Sequence, residues 1–112
     1  MHFACHDYDL KELVMCTFDI SNREFLILDN IITNPSSSAE SIARKLELDR
    51  STVQKSLSRL IERKLIQRKQ SNLSKGGYKF QYYIPNKTEL KKEMLKIIEV
   101  WYDGVVVAVQ KW

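Results

Sequence analysis

The sequence predicts a mainly α-helical fold that carries one small β-hairpin and ends in a long C-terminal helix. Apolar residues recur at steps of three and four along most of the chain, the mark of amphipathic helices. Between Leu65 and Ile84 that period gives way to strand-like composition, broken by Ser74, Lys75, Gly76 and Gly77. Three Gly and two Pro in 112 residues leave little room for irregular chain. This length suits one modest core.

Near the N-terminus, Leu10, Leu13, Val14 and Phe18 follow a capping Asp9 at helical spacing. Ser21 and Glu24 have capping-box spacing, and Phe25, Leu28, Ile31 and Ile32 then line one face, which predicts a helix from Asn22 to Thr33. Asn34 and Pro35 end it, because a proline disfavours helical geometry in the residue before it. Ser37 with Glu40 gives a second capping box, opening a helix from Ala39 to Leu46 with Ile42, Ala43 and Leu46 inward. Glu47 to Asp49 form a three-residue turn, and Asp49 is placed to cap a third helix from Arg50 to Glu62, inward at Val53, Leu57, Leu60 and Ile61.

Leu65 to Gln70 reads as a strand and Tyr78 to Ile84 as its return, with basic residues on and near the turn. Pro85 stops the hairpin and Thr88 can cap a helix from Glu89 to Trp112. Its stripe is Leu90, Met94, Ile97, Ile98, Trp101, Val105, Ala108 and Trp112, with Gly104 and the β-branched Val105 to Val107 weakening the last turns.

Helix, short helix, three-residue turn, helix and basic hairpin in that order predict a winged helix-turn-helix. The expected divisions are 1–18 (N-terminal helical segment), 19–86 (winged domain) and 87–112 (C-terminal helix, with its stripe as a dimer contact). On a helical wheel set by Val53, Leu57 and Leu60, the outward residues are Ser51, Lys55, Ser58, Arg59 and Glu62, with Thr52 and Gln54 on the flanks. Arg, Lys and Gln can read guanine and adenine edges in a major groove, and Ser and Thr suit backbone or base. Arg50, Ser51 and Thr52 occupy the first turn, where the positive helix end favours phosphate.

Charge distribution supports the same expectation. The net charge is +4, but from Arg63 to Lys92 there are nine bases against Glu89 alone. Arg68, Lys75 and Lys79, with Lys69, are therefore expected along phosphates. The expected partner is double-stranded DNA, bound by a homodimer; the alternative is a winged-helix module for protein assembly.

The stretch DRSTVQKSLSRLIERKLI from Asp49 to Ile66, Gly76-Gly77-Tyr78 in the hairpin and Trp101-Tyr102 in the last helix resemble the small archaeal regulators related to the TrmB and MarR groups. The likeness covers roughly residues 16–102. It implies a winged helix, dimerisation through terminal helices and a pseudo-palindromic operator. A chain of 112 residues leaves no room for the sugar-binding domain of full-length TrmB proteins, so no sugar effector is carried over and the effector stays unnamed.

Other chemistry is not expected. His2, Cys5, His6 and Cys16 can bind metal but match no compact zinc pattern, so no metal or cofactor is assigned; a redox role for Cys5 and Cys16 stays open. No phosphate-cradling glycine loop or nucleophile elbow is present and no histidine lies beyond His6, which argues against an enzyme. Tyr78, Phe80, Tyr82 and Tyr83 read as packing rather than a base-stacking platform. Without a transmembrane run or signal sequence, a cytoplasmic protein without membrane contact is expected.

Overall fold

A computed structural model of the chain describes residues 9–112. His2, Cys5 and His6 lie outside the described residues. Along them run α1 (Leu10–Phe18), α2 (Asn22–Thr33), α3 (Ala39–Leu46), α4 (Arg50–Glu62), β1 (Gln67–Asn72), β2 (Tyr78–Tyr83) and α5 (Lys87–Gln110). This is the mainly helical, winged arrangement that the sequence predicts. The chain divides into two compact units, one over Ile20–Pro85 and one containing α1 and α5.

In the first unit, α2 begins where Ser21 and Glu24 close a reciprocal capping box: Glu24 N donates to Ser21 Oγ at 3.2 Å and Ser21 N to Glu24 Oε1 at 2.7 Å. Such a cap stabilises a helix by about 1 kcal/mol. The buried side chains of α2 include Ile27, Leu28 and Ile31; Ile32, expected inward, is exposed.

The cap of α3 differs from the expectation. Ser38 caps the helix with Ser41 in a reciprocal box, not Ser37 with Glu40. Ser37 is committed elsewhere: its hydroxyl donates to Asn34 O and its carbonyl accepts from Tyr82 N at 2.8 Å, while Ser36 N donates to Tyr82 O at 3.2 Å. The loop before α3 is thus bridged to β2. Glu47 adopts a left-handed conformation that ends α3, and Asp49 starts α4 in extended geometry without a side-chain cap bond.

Val53, Leu57 and Leu60 of α4 are buried with Ile27, Ile31, Ile42, Leu65 and Ile66, and α4 packs on both α2 and α3. Leu65 and Ile66, assigned above to the first strand, are core residues that precede it. Lys64 turns with φ +62° and Leu65 N donates back to Leu60 O, so the ladder begins only at Gln67. The two strands pair antiparallel from Gln67 with Tyr83 to Asn72 with Tyr78. Gly76 and Gly77 have φ of +88° and +81° at the turn, where a side chain would strain the backbone.

In the second unit, Asp9 Oδ1 accepts from Lys11 N at 3.0 Å to cap α1, which packs on α5. The cap of α5 is Asn86, whose Oδ1 accepts from Glu89 N at 3.1 Å, so the helix begins earlier than the Thr88 cap implies. No residue of α5 is buried; Leu90, Met94, Ile97, Ile98 and Val106 are half-buried. Among the described residues, no helix is long and apolar enough to cross a membrane.

Candidate nucleic-acid interface

The outward face of α4 follows from its inward one. With Val53, Ser56, Leu57 and Leu60 buried, one helical side is fixed in the core and Ser51, Lys55, Ser58 and Glu62 are exposed on the other, as the wheel requires. Thr52 and Gln54 are half-buried at its edges.

The two arginines of α4 are engaged within the protein. Arg50 Nη1 lies 3.3 Å from Glu40 Oε1 of α3, both side chains well exposed. Arg59 Nε lies 2.7 Å from Glu24 Oε2 of α2, and here the partners differ: the Arg59 side chain is 53% exposed, that of Glu24 only 5%. The Glu24 carboxylate therefore serves two purposes, with one oxygen capping α2 and the other holding α4. Neither acid is among the expected site residues. The Ser21/Glu24 spacing showed the cap, but nothing local in the sequence connects residue 24 to residue 59.

The hairpin separates the basic residues assigned to it. Arg68 pairs with Tyr82, and its guanidinium lies 4.3 Å from the centre of the Phe80 ring, a cation–π contact. Tyr78 meets Phe80 edge to face at 5.4 Å. Because side chains alternate across a ladder, Lys69 and Lys79 fall on the opposite face to Arg68. That second face is polar, with Ser71 Oγ donating to Gln81 Oε1 at 3.0 Å and Tyr83 Oη to Gln67 Oε1 at 3.2 Å. Lys75 is exposed within the turn.

Between α3, α4 and the hairpin lies an open cleft of about 270 Å³, bounded by Ser38 and Glu40, by Arg50 and Gln54, and by Arg68, Lys79 and the aromatics. The start of α3, the positive end of its dipole, opens into this cleft beside the cationic side chains of Arg50 and Arg68. The site thus combines a polar helix face with cations suited to phosphate on its hairpin side.

The expected dimer stripe on α5 is only partly exposed. Trp101, Val105, Ala108 and Trp112 are exposed, whereas Leu90, Met94, Ile97 and Ile98 are half-covered. Leu95, Tyr102 and Val109, which the sequence reading did not select, are among the exposed apolar residues. Cys16 is an exposed free thiol, and among the described residues no group of three or more His, Cys, Asp or Glu could hold a metal ion.

Comparison with known proteins agrees with this geometry. Residues 18–74 match the model of the MarR family. The chain is 32% identical over 108 residues to the uncharacterized protein MJ1503 of Methanocaldococcus jannaschii, covering 96% of this chain and 79% of that one. It is 27% identical to a possible transcriptional regulator from Methanosarcina mazei Go1, whose structure superposes with a TM-score of 0.83 and coverage of 100% of this chain and 95% of the other. A Staphylococcus aureus MarR solved in complex with salicylate and kanamycin is 25% identical, with a TM-score of 0.57 over 88% of this chain and 65% of that one.

Proposed function

Because the chain belongs to the MarR family of transcriptional regulators, we propose that it binds a specific duplex DNA sequence as a homodimer in the cytoplasm, with α4 in the major groove and the wing, residues 71–79, on flanking phosphates. Membership of this family also places it among regulators rather than enzymes. One surface carries the proposal: Ser51, Lys55 and Ser58 form an exposed face of α4 that holds no apolar side chain, bordered by Arg50, Gln54 and Arg68 at the hairpin cleft. A solvated helix face needs no such neighbours; a groove-reading helix does, because phosphate contacts set its register while base contacts set its specificity.

Two copies of the site presented about one helical turn apart, roughly 34 Å, would read a two-fold operator and double the phosphate contacts. The exposed part of the α5 stripe, Trp101, Val105, Ala108 and Trp112, is the proposed contact between copies.

Selection of bound duplexes from a fragmented genomic library, followed by affinity measurement at two salt concentrations, tests the proposal. The expected result is a recovered sequence bound about a thousandfold or more tighter than random duplex, each with a steep salt dependence. Failure to retain any duplex at low salt would overturn it.

A further inference from the structure

Among the described residues, the hairpin has one strand edge without a pairing partner. The sheet consists of β1 and β2, and the outer side of β2 is taken by the bridge between Ser37 and Tyr82. The outer side of β1 is therefore the free edge. Every residue of β1 except the half-buried Ser71 is exposed.

Hydrogen-bond direction identifies the groups on that edge. Tyr82 donates its N–H to Ser37 O and accepts at its carbonyl from Ser36 N, both away from β1. Arg68, its partner across the ladder, is therefore in a pair that exchanges no backbone hydrogen bond, and the Arg68 N–H and C=O point out of the sheet. Alternation gives Gln70 and Asn72 the same direction, while Gln67, Lys69 and Ser71 face β2. The turn agrees, because Leu73 N donates inward to Gly77 O. Arg68, Gln70 and Asn72 thus each present a backbone donor and an acceptor on the edge.

We propose that this edge docks an extended acidic segment of a partner protein, which adds to β1 as an antiparallel strand. The site is distinct from the outward face of α4 and stands whether or not that face reads a duplex.

Backbone chemistry selects a peptide. A strand supplies C=O and N–H in alternation and satisfies both kinds of group on the edge. Duplex DNA supplies chiefly phosphate oxygens, which accept from the outward N–H groups but leave the carbonyls of Arg68, Gln70 and Asn72 facing negative charge. Antiparallel addition continues the existing ladder and pairs slightly better per residue than parallel addition.

Charge selects an acidic segment. From Gln67 to Tyr83 the hairpin carries Arg68, Lys69, Lys75 and Lys79 and no acid. Arg68 and Lys69 project from opposite faces of β1, so an incoming strand meets one cation on each face at adjacent positions. Two consecutive Asp or Glu residues would lie across from both, where opposite charges stabilise cross-strand pairs. The Arg68 guanidinium is already held on its face, 4.3 Å from the centre of the Phe80 ring. The same charges oppose a second copy. Pairing β1 with the β1 of another chain gathers Arg68 and Lys69 of both with no acid to offset them.

The test uses the full chain without DNA. In the free protein, amide exchange should be fast at Arg68, Gln70 and Asn72 and slower at Lys69 and Ser71. Slow exchange at the outward three would show the edge already covered and overturn the proposal. A phage-displayed library of random octapeptides is then panned on the immobilised chain. The expected sequences carry two consecutive acidic residues among β-branched ones. A synthetic copy of the most enriched peptide should bind with a dissociation constant of about 100 µM or lower. It should slow exchange about tenfold at Arg68, Gln70 and Asn72 but not at Lys69 and Ser71. N-methylation of the peptide amides that face β1 should abolish binding, and methylation of the alternate amides should not. Gln70→Pro removes an outward N–H without removing a ladder bond, a change an edge strand tolerates. It is expected to weaken the peptide about tenfold or more, whereas Gln70→Thr should bind like the original chain. Failure to enrich any peptide, protection confined to other amides, or equal binding by both methylated peptides would overturn the proposal. So would a random duplex that slows exchange at the outward amides where no peptide does, because the edge would then be a phosphate contact.

Discussion

Arg59 of α4 is tied to a buried acid two helices away: its Nε lies 2.7 Å from Oε2 of Glu24, while the other oxygen of Glu24 accepts from Ser21 N at 2.7 Å. The pair joins the cap of α2 to the orientation of α4. Removing the two partners should therefore have unequal effects. Arg59→Ala strands a nearly buried carboxylate and should cost about 2–3 kcal/mol of stability. Glu24→Ala removes a cap, but its half-exposed arginine regains water, so about 1–2 kcal/mol is expected. Urea unfolding of both variants and the double variant checks this. The double variant should be less destabilised than the sum by at least 0.5 kcal/mol, roughly the threshold for residues in contact; strict additivity would show that the contact contributes nothing.

That tie separates the roles of two cations assigned to the same face. Lys55 is exposed and, among the described residues, in no ion pair, so Lys55→Ala should leave the urea midpoint unchanged while weakening operator binding by about 1–3 kcal/mol. Lys75→Ala, in the wing turn, should instead weaken binding to all duplexes and reduce the salt slope by about one unit. Anisotropy titrations with operator and random duplex at several salt concentrations distinguish the two patterns. Identical losses for both variants on both duplexes would refute the division into reading and anchoring residues.

The wing turn offers a test of backbone rather than charge. Nothing lies within 4 Å of a Cβ built on Gly76 or Gly77, so Ala fits sterically at either position. The φ values of +88° and +81° still disfavour it, and each substitution should cost about 1 kcal/mol. Because the turn is remote from the core, the loss should appear as faster amide exchange at Leu73 and Gly76, whose N–H groups bond across the turn, before it appears in the global transition. Unchanged exchange at those two amides would count against strain at the turn.

Helix boundaries were legible in the sequence where a local signal decided them. α2 runs from Asn22 to Thr33 as predicted, because Ser21, Glu24 and the Asn34-Pro35 stop all act within a few residues. The α3 cap departs from the expectation because three consecutive serines compete for it: the Ser37 hydroxyl turns back to Asn34 O while its backbone pairs with Tyr82, and Ser38 takes the cap. Glu24 and Glu40 as partners of the α4 arginines were not legible because those pairs join residues far apart in the chain. On α5 the difficulty is different. Apolar residues cover most of its circumference, so periodicity cannot separate the side facing α1 from the side left exposed; exposure at Leu95, Tyr102 and Val109 does.

Glu40 provides the last expectation, and its direction is opposite to the others. It stands beside the cleft where α3 begins, with Arg50 and Arg68, and it holds Arg50 at 3.3 Å. Both side chains are about two-thirds exposed, a setting in which an ion pair contributes at most about 1 kcal/mol to stability. It does not cap α3, a role taken by Ser38 with Ser41, so Glu40→Gln should leave the unfolding midpoint within about 0.5 kcal/mol of the original protein, whereas Ser38→Ala should cost about 1 kcal/mol. For DNA the acid is a cost. Its charge repels phosphate and occupies the guanidinium that phosphate would otherwise engage. Glu40→Gln is therefore expected to tighten binding to specific and random duplex alike, by about threefold to tenfold at low salt, and to steepen the salt dependence by up to one unit. Weaker binding by Glu40→Gln, with the fold intact by circular dichroism, would show that DNA approaches the domain by a face other than this cleft.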